Sequence, residues 1–244
     1  ARLHLPLARV PLRRGQRDAW RLGYLTELSR LPAYNTGRHR SSGRVGAPVD
    51  EEGNPLFHRL PESWEKAETD GERWRWALLQ AMELDPELRK PVRKHFASFL
   101  LSQFGVQTMA SFRWFRGGAH DVGRREGILA LHELAENETV ARLATGVKKF
   151  TLPREFNYIR IFREIGEWPA LGAIFENRRQ YPRAAACWEK AGKTKKVAQI
   201  RGNWGRFENT RTEPAGTAPQ VGFRFRNGKR VELTAKKVDI AALL

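Results

Sequence analysis

A chain of 244 residues with 41 % hydrophobic and 29 % charged content is long enough for one large or two modest domains, and its composition is globular rather than disordered. A net charge of +17 brings polyanions forward as partners, while the single cysteine, Cys187, excludes an intramolecular disulfide and any multi-cysteine zinc or iron–sulfur centre. No run approaches the roughly eighteen apolar residues of a membrane span, and the N-terminal ARLHLPLARVPLRRG, broken by Arg2 and Arg9, carries no convincing signal peptide.

The charge is densest in residues 1–50, where ten Arg face three acids, and is diffuse elsewhere. It therefore reads as a solvated surface ahead of a nucleic-acid surface. Asp18 is placed to cap a helix over 18–31, with Trp20, Tyr24, Leu25, Leu28 and Leu31 at helical spacing. Gly, Pro, Ser, Arg and Asn then dominate Pro32 to Pro61, a long loop that is either flexible or laid across a neighbour, with a turn at Glu52-Gly53-Asn54-Pro55.

Ser63 is expected to start a second helical region that breaks at Asp70-Gly71. GERWRWALLQAMEL places Trp74, Ala77, Leu78, Ala81 and Met82 on one stripe. After Asp85-Pro86, ELRKPVRKHFASFLLSQFG does the same with Val92, Phe96, Phe99 and Leu100 and stops at Gly105. These two helices form an αα-hairpin. Residues 106–128 read as a loop, and ETVARLATGVKKF as a further helix with Val140, Leu143, Ala144, Val147 and Phe150 at the 3.6 period. EFNYIRIFREIGE gives the next helix, and EWPALGAIFENRRQYPRAAACWEKA two more, split near Gln180-Tyr181-Pro182. KVAQIRGNWGRF reads as a continuation of the last. After a linker-like loop, VGFRFRNGKRVELTA alternates with period two, so a hairpin is expected around Asn227-Gly228 with Val221, Phe223 and Phe225 on one strand and Val231 and Leu233 on the other.

Little in this chain looks like chemistry. The six histidines, at 4, 39, 58, 95, 120 and 132, show no HExxH or i, i+4 spacing, and His120-Asp121 and His132-Glu133 are adjacent pairs that point apart. There is no GxxxxGK[ST] phosphate loop and no GxSxG elbow. No catalytic, metal or cofactor residue is assigned, the chain is read as non-enzymatic, and Cys187 within AAACW is read as packing. Aromatic residues alternate with Arg at Trp74, Trp76, Phe223 and Phe225. This is weighed as base stacking and assigned to amphipathic elements whose aromatic face packs while Arg meets water.

Glu167 to Ala191 resembles a tetratricopeptide repeat, matching its pattern at Trp168, Leu171, Gly172, Phe175, Ala184 and Trp188, with Ala191 in the small position of the second helix. These are packing positions, with Gly172 and Ala184 expected to let the two helices approach. A shift of 34 residues finds no second match. A broader resemblance runs from GAPVDEEGNPLFHRLPESWEKAETDGERWRWALLQA through FLLSQFGVQTM and IFENRRQYPRAAACWEKA to VGFRFRNGKRVELTAKKVDI, roughly residues 46–240. In this order the segments resemble the N-terminal helical region of planctomycete-type bacterial alpha-2-macroglobulin-like proteins. The resemblance implies an exported endopeptidase inhibitor that traps a protease, with β-sandwich domains following a helical scaffold; neither a CGEQ-type thioester motif nor a bait segment occurs in these residues.

The expectation is therefore a mainly α fragment. It comprises a basic segment over 1–61, a helical-hairpin and repeat-like domain over 62–207, and a linker with the start of an incomplete β-domain over 208–244. Its partner is a protein, a protease reached through downstream domains. A helical-repeat adaptor is the alternative, followed by a basic nucleic-acid-binding protein. No small-molecule cofactor is expected.

Overall fold

The computed structural model describes residues 47–105, 130–143, 145–209, 216 and 220–234. The helix expected over 18–31, the loop over 106–128 and most of the linker after Phe207 lie outside the described residues. Among those described, the protein is mainly helical, with two small antiparallel sheets.

Helix α1 spans Asp70–Leu84 and begins where Thr69, in extended backbone, accepts the Glu72 amide on its hydroxyl at 3.2 Å. The helix expected from Ser63 is absent. Its hydroxyl accepts only the Lys66 amide, closing one turn, and Trp64 and Ala67 supply no stripe for further turns to bury. Trp74, Ala77, Leu78 and Ala81 face inward as their period predicts. Asp85 caps a short 3-10 turn, and α2 (Arg89–Phe104) buries Val92, Ala97, Phe99, Leu100 and Phe104, with the Phe99 ring 4.6 Å from Trp74 of α1, before stopping at Gly105. Part of the expected long loop lies across these helices. The Phe57 ring stacks 4.7 Å from Phe156 and 5.0 Å from Phe104, and His58 packs against Gly71, where even a Cβ would meet Nδ1 at 2.1 Å.

Residues 138–150, expected as a helix, form a hairpin instead. Strand β1 (Glu138–Leu143) pairs antiparallel with β2 (Gly146–Thr151), Thr139 opposite Phe150 and Leu143 opposite Gly146. The reason lies in the turn and in the burial. Gly146 adopts φ +122°, a value that favours glycine, and β1 buries one face throughout and Val140 alone on the other, beside exposed Arg142. Thr139, Ala141 and Leu143 meet the α2 side, while Val140 packs with Leu131, Leu134 and Val147 on the other. A strand with apolar residues buried on both sides loses the clean period-two signature and imitates a helix stripe.

Four helices follow in a regular progression: α3 (Tyr158–Glu164), α4 (Trp168–Asn177), α5 (Tyr181–Lys190) and α6 (Thr194–Arg201). Each of the first three closes the same way. Glu167, Gln180 and Lys193 donate their amides to the carbonyls of Phe162, Phe175 and Trp188, all at 2.9 Å. The preceding residues Gly166, Arg179 and Gly192 have φ of +73°, +58° and +66°. These are Schellman-type ends spaced 13 residues apart, so one helix and one turn make a unit of 13 residues. Phe162, Phe175 and Trp188 hold the same position in successive units and are buried; Arg201 takes that place in α6, which buries no residue. The array ends there.

Strand β4 (Phe223–Arg226) forms as expected, but its partner is β3 (Trp204–Phe207), not residues 231–233. Asn227 adopts φ +60°, and its amide group donates to the carbonyls of Ile200 at 2.8 Å and Gly202 at 3.1 Å. The Asn-Gly turn is thus spent on fastening β4 to the end of α6, and Val231 and Leu233 lie outside any strand.

Candidate functional site

The packing residues expected between Trp168 and Ala191 meet in the α4–α5 pair. Leu171, Gly172, Phe175, Ala184 and Trp188 are buried, with Trp168 and Ala191 half-buried beside them. Gly172 lies directly beneath the Trp188 indole, where a Cβ would fall 2.6 Å from two ring carbons. That indole donates to Glu176 at 2.9 Å, and Glu176 also pairs with Lys196 of α6. The site is apolar contact closed by one carboxylate; it presents no group to a ligand.

A second constellation went unread in the sequence. Arg178, fully buried at the end of α4, donates to the carbonyl oxygens of Ala135 at 3.0 Å and Glu138 at 2.8 Å and to the Tyr158 hydroxyl at 2.9 Å. Tyr158 lies 3.1 Å from the Thr139 hydroxyl, which in turn reaches the Phe104 carbonyl at 2.5 Å. Two residues on, buried Gln180 binds the carbonyls of Leu134 at 2.7 Å and His132 at 3.2 Å. Together these side chains grip the backbone of residues 131–138. Arg163 makes paired contacts of 2.7 and 2.5 Å with Glu136, and its hydrogen bonds hold that carboxyl below the usual carboxylate range. The Ala135 amide, and then Lys149, do the same for Glu138. The only sequence signal was a charged residue, Arg178, where the neighbouring units place Ile165 and Ala191.

Of the histidines, His4, His39 and His120 lie outside the described residues. His58 is buried with Nε2 unpartnered, and burial followed by the nearby Arg75 guanidinium lowers its pKa to about 4. His132 sits on the surface strap. Burial also raises the Cys187 thiol pKa, the wrong direction for a nucleophile. Among the described residues no three metal-ligating side chains converge, and no helix is long and apolar enough to cross a membrane.

The exposed surface differs most from expectation at β3–β4. By register, Gly205, Phe207, Phe223 and Phe225 share one face, and Trp204, Arg206, Arg224 and Arg226 the other. The phenylalanine face was expected to be packed. Phe207 and Phe225 are instead 58 % and 60 % exposed, with Phe223 lying between them over Gly205. No family model, curated protein or solved structure matches the chain.

Proposed function

We propose that the chain is a non-catalytic scaffold, the N-terminal helical part of an alpha-2-macroglobulin-like endopeptidase inhibitor. The observation that carries this reading is the β3–β4 pair, fastened to α6 through Asn227 yet exposing Phe207 and Phe225. Two strands are not stable alone, and an apolar face opposite a charged one is half of a sandwich interface. The helical units then serve as a rigid base from which a β-domain starts, and α4–α5 is its tetratricopeptide-like pair. Export follows from the same reading, and a protease is the partner reached through the β-domains.

Sequencing the transcript past the Leu244 codon tests this. An open frame continuing into repeated strand-rich segments is expected; a stop codon directly after Leu244 sinks the proposal. A helical-repeat adaptor is the second reading, favoured by the 13-residue regularity of the helix ends. A stop codon together with saturable binding of an extended peptide to the chain would select it.

A further inference from the structure

The arginine face of β3–β4 is independent of what covers the phenylalanine face. A sandwich partner would bury Phe207 and Phe225 and leave Trp204, Arg206, Arg224 and Arg226 in water. Arg226 donates to the Gln199 carbonyl, so this face runs on into α6 and its Lys195 and Lys196. Over residues 193–209 and 220–234 there are nine Lys and Arg against two Glu.

Some of that charge is neutralised within the fold. Arg224 pairs with Glu208, Arg201 with Glu189, and Lys196 with Glu176. Among the described residues, Arg206, Arg226, Lys229, Lys193 and Lys195 have no carboxylate within salt-bridge distance. A surface of this sign lacking internal counter-charge attracts a polyanion, and its strength depends on released counterions. Trp204 adds a second element. The residue is 46 % exposed, and the Arg206 guanidinium lies over its ring at 5.6 Å, a planar cation beside a planar ring on one face of the strand pair. Arg224 and Arg226 stand two residues apart on one face, about 6.8 Å along the strand. An aromatic ring flanked by arginines in a basic strip suits unpaired bases and their phosphates.

We propose that the Trp204–Arg206–Arg224–Arg226 face, extended by Lys229 and the lysines of α6, binds single-stranded nucleic acid, with Trp204 stacking on a base and the arginines on phosphates. Duplex DNA offers no open base to Trp204 and binds more weakly. An anionic membrane or polysaccharide supplies charge without bases and gains nothing from the indole.

The test is fluorescence anisotropy of the whole chain with a labelled 20-nucleotide single strand, from 50 to 300 mM salt. Arg206→Ala, Arg226→Ala and Lys229→Ala are each expected to lower the slope of log affinity against log salt by about 0.7. Trp204→Ala is expected to weaken binding on the order of 10-fold with the slope unchanged, and Trp204→Phe to restore most of it. Lys90→Ala, an exposed lysine on α2, is the control and should change nothing. These side chains are exposed, and matched thermal melts establish that each variant is folded. Absence of binding at 50 mM salt overturns the proposal. So does an equal loss on Lys90→Ala, which would mean diffuse attraction, or anionic vesicles or heparin binding as tightly with no effect of Trp204→Ala. None of these results bears on the reading frame beyond Leu244, so the scaffold proposal stands or falls separately.

Discussion

At the residue scale, Gly172 shows how a pattern position becomes a physical requirement. Replacing a helix-interior glycine with alanine ordinarily gains about 1 kcal/mol of helix propensity. Here the added Cβ would stand 2.6 Å from the Trp188 ring, which is buried and held by its bond to Glu176, so it cannot rotate away cheaply. Overpacking of this kind costs about 1–3 kcal/mol. Gly172→Ala is therefore expected to lower stability by about 1 kcal/mol in urea unfolding, and the double variant with Trp188→Leu to recover it. A Gly172→Ala protein more stable than the parent would show that the ring does not lie where described. This position was legible in the sequence because close helix approach needs a small residue whatever the surroundings. The backbone-gripping role of Arg178 was not, since a charged side chain gives no sign that its partners are carbonyls some 40 residues away.

Among the elements, what could be read depended on whether one face met water. Helices α1 and α2 each bury one stripe, and their periods place them correctly. Strand β1 buries Leu143 on one side and Val140 on the other, so these two fall at helix-like spacing and mislead. The 13-residue unit was present in the letters, with Trp168-Pro169 and Tyr181-Pro182 opening successive helices, but a 34-residue shift could not find it. The Asn-Gly turn was recognised and its strand partner was not, because the chain continuing from α6 reaches β4 first. The strap over 131–138 depends on Arg178 for its order. Arg178→Met removes the guanidinium and leaves the Glu138 carbonyl short of its donor in the interior, at about 1–3 kcal/mol, while the Ala135 carbonyl keeps the Glu138 amide and the Tyr158 hydroxyl keeps Thr139. A loss of that size is expected, with amide exchange accelerating most over 131–138 and Arg178→Lys recovering part. Uniform acceleration across all elements would instead make Arg178 one more core residue without a special tie to the strap.

For the whole molecule, the join between residues 47–58 and the helical body is the place where solution conditions should act. Phe57 sits between Phe104 and Phe156, and beside it His58 is sealed against Gly71 and Phe99 with Arg75 donating to its carbonyl. Charging His58 there means placing a cation in a dry site next to a guanidinium, so burial first and Arg75 second lower its pKa from 6.5 to about 4. The sign follows from linkage. The unfolded chain takes up a proton near pH 6.5 and the folded one only near 4, so the stabilisation is complete above pH 6.5 and is lost progressively as pH falls towards 4. A difference of that size corresponds to roughly 3 kcal/mol over the interval. The carboxyls of Glu136, Glu138 and Glu164, all held below their ordinary range, add their own losses only at lower pH, through the usual carboxylate range and beneath it. The span from pH 6.5 to 5 therefore separates His58 from these carboxyls. Urea midpoints measured at pH 7.5, 6.5, 5.5 and 5 are expected to fall steadily for the natural chain and to stay nearly level over that span for His58→Phe, whatever its absolute stability. Protease cleavage within 47–58 should rise in step for the natural chain alone. An identical decline in both proteins would assign the acid sensitivity to other groups and leave the Phe57–His58 join indifferent to pH.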